Sequence, residues 1–271
     1  MSNKMSNQKT SGGFSSLVAS ISIVIALVIG ILIYKYIFGD GSHFVNGDNT
    51  LEPLEGDYLG IIYKGGIIVP FLVAVNLIVL IFAIERFVTL AKTKGKGNVN
   101  NFVVKIKSLL EEKDIKGAIG ECDKQRGSLA NVVRAGLEKY EHVQNSPEMD
   151  KSQKLEAIKK ELEEATSLEL PMLSKNLVVL STSASIGVLI GLIGTVLGMI
   201  KSFSAMSKGT PDTAMLATGI SEALINTFLG ILASTLAIVL YNFFNTKIDQ
   251  MTYSMDEASF TIVQNFSATE K

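Results

Sequence analysis

Apolar residues fall into four long runs, at 17–38, 67–84, 177–200 and 214–244, and charge returns between them. At about 1.5 Å per helical residue, runs of this length reach across a hydrocarbon core of about 30 Å. The second run is somewhat short and stops abruptly at Glu85 and Arg86. Between the second and third runs the pattern changes to a helical period with both charge signs mixed in. Phe102, Val103, Ile106, Leu109 and Leu110 form one apolar face, and Leu129, Val132, Val133, Ala135, Gly136 and Leu137 another. Leu155, Ile158, Leu162, Ala165, Leu168 and Leu173 carry a stripe back towards the third run. Ser146, Pro147 and Glu148 read as a helix start, and Pro171 as a kink where that helix meets the membrane. The pattern predicts an all-α polytopic membrane protein, with four transmembrane helices and a helical cytoplasmic insert that extends the bundle.

Charge orders these pieces. Residues 1–13 are polar and rich in Ser, Asn and Lys, which predicts a disordered tail. The first transmembrane helix is placed at 14–38. It is too long for a cleaved signal peptide, and no small-x-small cleavage site follows it. Residues 39–66 set Asp40, Asp48, Glu52, Glu55 and Asp57 against Lys64 alone and read as an exposed external loop. The second helix, 67–90, is followed at once by Lys92, Lys94 and Lys96, a mark of the cytoplasmic side. The insert, 91–176, is therefore cytoplasmic. The third helix, 177–200, runs outward to a short external turn at 201–213 containing Gly209 and Pro211. The fourth, within 214–271, returns and continues as a cytoplasmic extension and loose tail. Both termini are expected inside.

Composition narrows the chemistry. Hydrophobic residues make up 47% and charged residues 19% of 271, the mean hydropathy is +0.33, and the net charge of −1 gives no basic surface for nucleic acid. Cys122 is the single cysteine, and His43 and His142 lie outside every apolar run. No intramembrane serine-histidine pair, histidine-rich metal cluster or Walker-type loop can be assembled. The expectation is a protein without catalytic residues, metal or cofactor, and not an enzyme.

The polar residues inside the last two runs are spaced, not scattered. Gly187 and Gly191, then Gly194 and Gly198, stand four apart on one helical face that Thr195 joins. In the last run Gly219, Ala223, Asn226, Thr227, Gly230 and Ser234 repeat at three to four residues, and Glu222 is its only carboxylate. Placing an ionisable group in a span costs about 2.5 to 3.5 kcal/mol on insertion scales, so such a group usually faces a bundle interior or a wet cavity. Glu222, Thr195, Thr227 and Asn226 are the candidate proton path. Gly187, Gly191, Gly194, Gly198, Gly219 and Gly230 are candidate packing positions, those of the third helix sealing a homo-oligomer. Blander readings stand beside these: Glu222 wetted at the external membrane end, and threonines bonded to their own helix.

Two stretches carry a family resemblance. Gly191-Leu192-Ile193-Gly194-Thr195-Val196-Leu197-Gly198-Met199 with Phe203 is one; Gly219-Ile220-Ser221-Glu222-Ala223-Leu224, leading to Thr227, Gly230 and Tyr241-Asn242, is the other. Glu85-Arg86, Asp114 to Ala118 with Cys122, Ala135-Gly136-Leu137 and Glu169-Leu170-Pro171 add weaker support. Over roughly residues 64–250 the chain resembles the MotA/TolQ/ExbB proton-channel family, in its ExbB/TolQ branch. The resemblance implies a homo-pentamer in a bacterial inner membrane, with the external segments periplasmic, surrounded by membrane lipid. It further implies a pore lined by the last two helices and a small single-span partner of the ExbD/TolR kind. The resemblance makes that partner's membrane aspartate the group protonated and released; no aspartate lies in any of the four runs here. A TonB- or TolA-like protein would receive the work drawn from proton-motive force. Thr195, Glu222 and Thr227 match the family's pore-lining polar positions. Val188 departs from the family's proline, and the helix at 14–38 is extra to the three of the type members. Four spans and the run from Thr227 to Leu232 also look like MotA, so a flagellar or gliding stator subunit remains an alternative, as does a non-conducting scaffold.

The charge pattern makes one prediction by itself. In a Cys122→Ser background, Ser42→Cys and Ser207→Cys label with a membrane-impermeant maleimide applied outside intact cells. Protection at both positions reverses the orientation.

Overall fold

A computed structural model of the chain describes residues 11–206 and 213–269. Residues 1–10 of the expected tail and 207–212 of the expected external turn lie outside the described residues. The fold is all-α, with no strand among the described residues and only an isolated bridge between Phe44 and Pro53. The helices are α1 Ser11–Leu32, α2 Tyr58–Tyr63, α3 Val69–Thr93, α4 Val99–Glu111, α5 Ile115–Gln125, α6 Ser128–Gln144, α7 Lys151–Ser174, α8 Leu177–Met206 and α9 Thr213–Thr269. Four of their segments, ending at Phe38, Thr93, Met206 and Thr269, contain stretches long and apolar enough to cross a membrane. The chain divides into two compact units: Met1–Ala83 with Val178–Tyr241, and Ile84–Leu177 with Asn242–Lys271.

In the first unit α1 ends in a π-helical turn, Ile33–Phe38. From Ile21 to Leu32 its apolar side chains stand mostly exposed, as lipid permits. Ala26 is buried, and at Gly30 an added Cβ would lie 2.7 Å from Pro70 O and 3.1 Å from Ala74 N of α3. The segment expected as an open loop is a folded cap. Asp40, Asp48 and Asp57 turn back onto the amides of Ser42, Thr50, and Leu59 with Gly60, and Asp57 thereby caps α2. The Gly60 amide foremost, with His43 Nδ1 at 2.8 Å, holds the Asp57 carboxyl below the usual carboxylate range. Phe44 is buried beneath the edge of the Tyr63 ring, and Lys64 Nζ donates to Asn49 O and Thr50 O. Acidic residues that looked like solvent charge serve as turn caps.

Helices α8 and α9 are antiparallel and meet along their small residues. A Cβ on Gly230 would lie 2.6 Å from Gly187 O, and one on Gly198 would lie 2.6 Å from Gly219 O and 2.7 Å from Ala223 N. Gly191 faces Asn226 O and the Gly230 Cα, and Gly194 faces the Asn226 side chain. Ser234 Oγ donates to Ala184 O and Ser202 Oγ to Leu216 O, closing the seam at both ends. The glycine face of the third helix therefore packs inside the chain, which corrects the expectation that it seals one subunit against another. Helix α8 also runs through Lys201 to Met206, so the external turn does not begin at 201.

The second unit is an aliphatic core in a charged shell. Ile106, Leu110, Val132, Val133, Leu137, Ile158 and Leu162 are all buried, as the helical periods predict, and Gly136 makes room for Leu162. Asn98 and Asp114 cap α4 and α5. The start of α7 is Asp150, in a reciprocal box with Gln153, in place of the expected Ser146. Pro171 lies within α7, and the break before α8 comes later, at Lys175 and Asn176, where Asn176 takes φ +62°. Asn tolerates that left-handed conformation better than most residues. Arg86, 1% exposed, pairs bidentately with Glu85 at 2.6 and 2.7 Å and donates to Leu173 O at 3.2 Å, a carbonyl left over in the last turn of α7. Cys122 is buried, which pushes its thiol up to about 12 and leaves it protonated and inert. The loose tail expected after the fourth span is helical to Thr269, because Ile248, Met255, Ala258, Ile262 and Phe266 continue a buried stripe. Phe266 ends it edge-on against Tyr140, with ring centroids 4.7 Å apart.

The glycine seam yields a test that separates packing within a chain from packing between chains. Gly198→Leu and Gly230→Leu force side chains into backbone and lower the stability of each subunit by about 3 kcal/mol or more, the upper range for overpacking. Thermal unfolding in detergent, followed by tyrosine fluorescence, reads this as an earlier transition. Unchanged unfolding with a lost oligomer in native mass spectrometry would return the seam to the subunit interface.

Candidate functional site

The seam between α8 and α9 sets the register of the polar side chains beside it. Thr195, next to Gly194, and Thr227, one turn before Gly230, meet hydroxyl to hydroxyl across the two helices. Thr195 Oγ1 also lies 3.1 Å from Gly191 O, to which it can donate. Both threonines are half-buried, at the edge of the seam. A pair of hydroxyls in this position can accept a proton on one side and donate one on the other.

Glu222 faces a different neighbour. Its Oε2 accepts from Lys201 Nζ at 2.8 Å, across from α9 to α8. The side chain of Glu222 is 11% exposed and that of Lys201 50%. On its other side the carboxylate lies against Gly66, which precedes α3 and takes φ +78°. A Cβ at Gly66 would collide with Oε1 and lie 2.9 Å from the carboxyl carbon, so both the backbone conformation and the space require glycine. Sequence spacing placed Glu222 with the threonines; the structure gives it a cation in place of them.

Asn226, expected on the path, is fully buried. Its Nδ2 donates to Gly65 O at 2.8 Å, which ties the turn before α3 to the middle of α9. A wholly enclosed amide bonded to a backbone carbonyl positions helices and does not line a surface, and that corrects its assignment. Below it Ile225 and Leu229 pack with Val69 and Leu72, and Tyr34 and Phe38 from the end of the first span lie against the same cluster. Asn76 adds a bond to Leu72 O at 2.9 Å. The packing glycines Gly187, Gly191, Gly194, Gly198, Gly219 and Gly230 all fall on the seam.

Three residues escaped the sequence reading. Lys201 reads by composition as the first residue of a turn, although a lysine at the very end of an apolar run, opposite a lone carboxylate, is the available signal. Gly65 and Gly66 fall at the end of the expected external loop. Nothing in their spacing reveals that they lie against α9.

Comparison with known proteins bears on the same segment. Residues 124–257, which hold the seam and every polar residue just described on α8 and α9, match the MotA/TolQ/ExbB proton channel family. The Tol-Pal system protein TolQ of Pseudomonas aeruginosa is 28% identical over 165 residues, 58% of this chain and 71% of its own length. An ExbB-like biopolymer transport protein of Synechocystis is 38% identical over 88 residues, 31% of this chain and 42% of its own length. The biopolymer transport protein ExbB of Pseudomonas putida is 32% identical over 145 residues, 53% of this chain and 44% of its own length. The chain spans less than half the length of the last two. With four apolar spans and a small-residue seam that carries the two family stretches, the chain belongs to the MotA/TolQ/ExbB proton channel family, in its ExbB/TolQ branch.

Proposed function

We propose that the chain is a proton-channel subunit of an energy-transducing complex in a bacterial inner membrane, with both termini and the charged helical unit on the cytoplasmic side. It assembles as a homo-oligomer, a pentamer by family likeness, around a small single-span partner of the ExbD/TolR kind, and drives a TonB- or TolA-like protein. The observation that carries this reading is the pairing of Thr195 with Thr227 across two membrane helices, within a turn or two of the buried carboxylate Glu222. Hydroxyls and a carboxylate held at intramembrane depth are expensive, and a proton path is the use that matches their chemistry.

The chain's own residues hold and pass a proton; the partner's carboxylate is the load. One charge crossing about 100 mV releases about 2.3 kcal/mol, enough over repeated steps to turn or shift a partner. The threonine hydroxyls relay, Glu222 sets the local charge, and Asn226 with the glycines holds the frame.

In vesicles holding the chain with its partner, Thr195→Val, Thr227→Val and Glu222→Gln each lower proton uptake about tenfold, the effect of roughly 1.4 kcal/mol on the barrier. Native mass spectrometry shows the complexes still assembled. Wild-type uptake in all three variants overturns the path and favours a scaffold.

A further inference from the structure

We propose that Lys201 is the movable counter-ion of Glu222 and gates access to its carboxylate; this rests on the proton-path reading above and names the residue that regulates it. The geometry is asymmetric. Glu222 is closed in by Gly66 on one side, and Asn226, bonded to Gly65 O, pins that turn in place. Tyr34 is within electrostatic reach, but its hydroxyl donates to Tyr63 O at 3.2 Å, so that proton is directed away from Glu222. The turn before α3 brings the Gly66 backbone to the carboxylate. Among the described residues the charged group bonded to it is Lys201, and Lys201 is half exposed.

A lysine head on a flexible four-carbon stem can leave a carboxylate and reach water without moving its helix. Glu222, walled in by backbone, cannot. While Nζ sits at 2.8 Å the pair is neutral, and Oε2 is covered. When Nζ swings out, Oε2 opens to water, and a hydronium can give it a proton, leaving water and a neutral carboxyl that no longer draws the ammonium back. Loss of that proton restores the carboxylate, and Lys201 returns. The gate thus belongs to this chain's own side chains and sits at the α8 end that Ser202 ties to Leu216 O.

Two measurements on the full chain test this. The first is the rate at which a water-soluble amine reagent labels Lys201 in detergent, resolved by mass spectrometry with exposed Lys247 as internal reference. Glu222→Gln raises the Lys201 rate about threefold to fivefold, the range for an ion pair with one screened partner. The second is proton uptake in vesicles. Lys201→Gln raises it by a similar factor, Lys201→Arg brings it back towards wild type, and Glu222→Gln added to Lys201→Gln abolishes the rise. Equal labelling in wild type and Glu222→Gln, with normal uptake, overturns the gate and leaves the channel reading standing. A rise that survives in the double variant overturns the gate too, because the leak then bypasses Glu222. Absent wild-type uptake, with labelling still dependent on Glu222, sinks the channel reading and reduces the pair to a structural one.

Discussion

Every polar group in the candidate site owes its position to how closely the backbones of α8 and α9 approach. In a membrane two apolar helices gain little from leaving lipid for one another, so association depends on close van der Waals contact and on hydrogen bonds between helices. Glycines on both sides of this seam remove the side chains that would hold the axes apart, to the point where a Cβ at Gly230 would lie 2.6 Å from Gly187 O. The register follows from that contact. With Gly191 against Gly230 and Gly198 against Gly219, Thr195 has no choice but to meet Thr227. A seam one methyl group wider at these positions would part the hydroxyls before it unfolded the helices.

The polar residues along the seam divide by what they bond. Ser202, Ser234 and Asn226 donate to backbone carbonyls of neighbouring segments, which are fixed acceptors, and all three are buried. Such bonds hold a fold. Thr195 with Thr227, and Glu222 with Lys201, join side chain to side chain, and at least one member of each pair is partly exposed. Those bonds can be broken and remade without moving a helix. The distinction separates fixed bonds from exchangeable ones within a set of residues that look alike in sequence.

Periodicity made the fold class and the four spans legible, because a hydrocarbon core and a helical rise leave few ways to read a long apolar run. The seam glycines were legible too, though not their partner: spacing says that a face is small, and only the fold says whether it meets its own chain or another. Lys201 shows the commoner limit. A charge at the end of an apolar run marks a boundary by composition, yet α8 continues past it, since a lysine whose head reaches a carboxylate on the next helix costs the helix nothing. Asp40, Asp48 and Asp57 failed in a related way, because a carboxylate bonded to amides two or three residues ahead looks the same in sequence as one in solvent. At the other end, Asp249, Asp256 and Glu257 hid a buried stripe that runs on to Phe266.

The outward faces of the two helices complete the argument about where charge is allowed. Leu189, Leu192, Ile193 and Val196 on α8, and Leu224, Phe228 and Ile231 on α9, stand exposed and wholly apolar, fit for lipid or for neighbouring subunits. Glu222 is turned from that surface, and its neighbours in sequence, Ala223 and Ile225, are buried with it. Had the carboxylate pointed outward, it would need a partner from outside the chain in every state. Turned inward against a glycine backbone, with a lysine of the same chain as counter-ion, it has its charge paired within the chain and leaves the apolar outward surface unbroken.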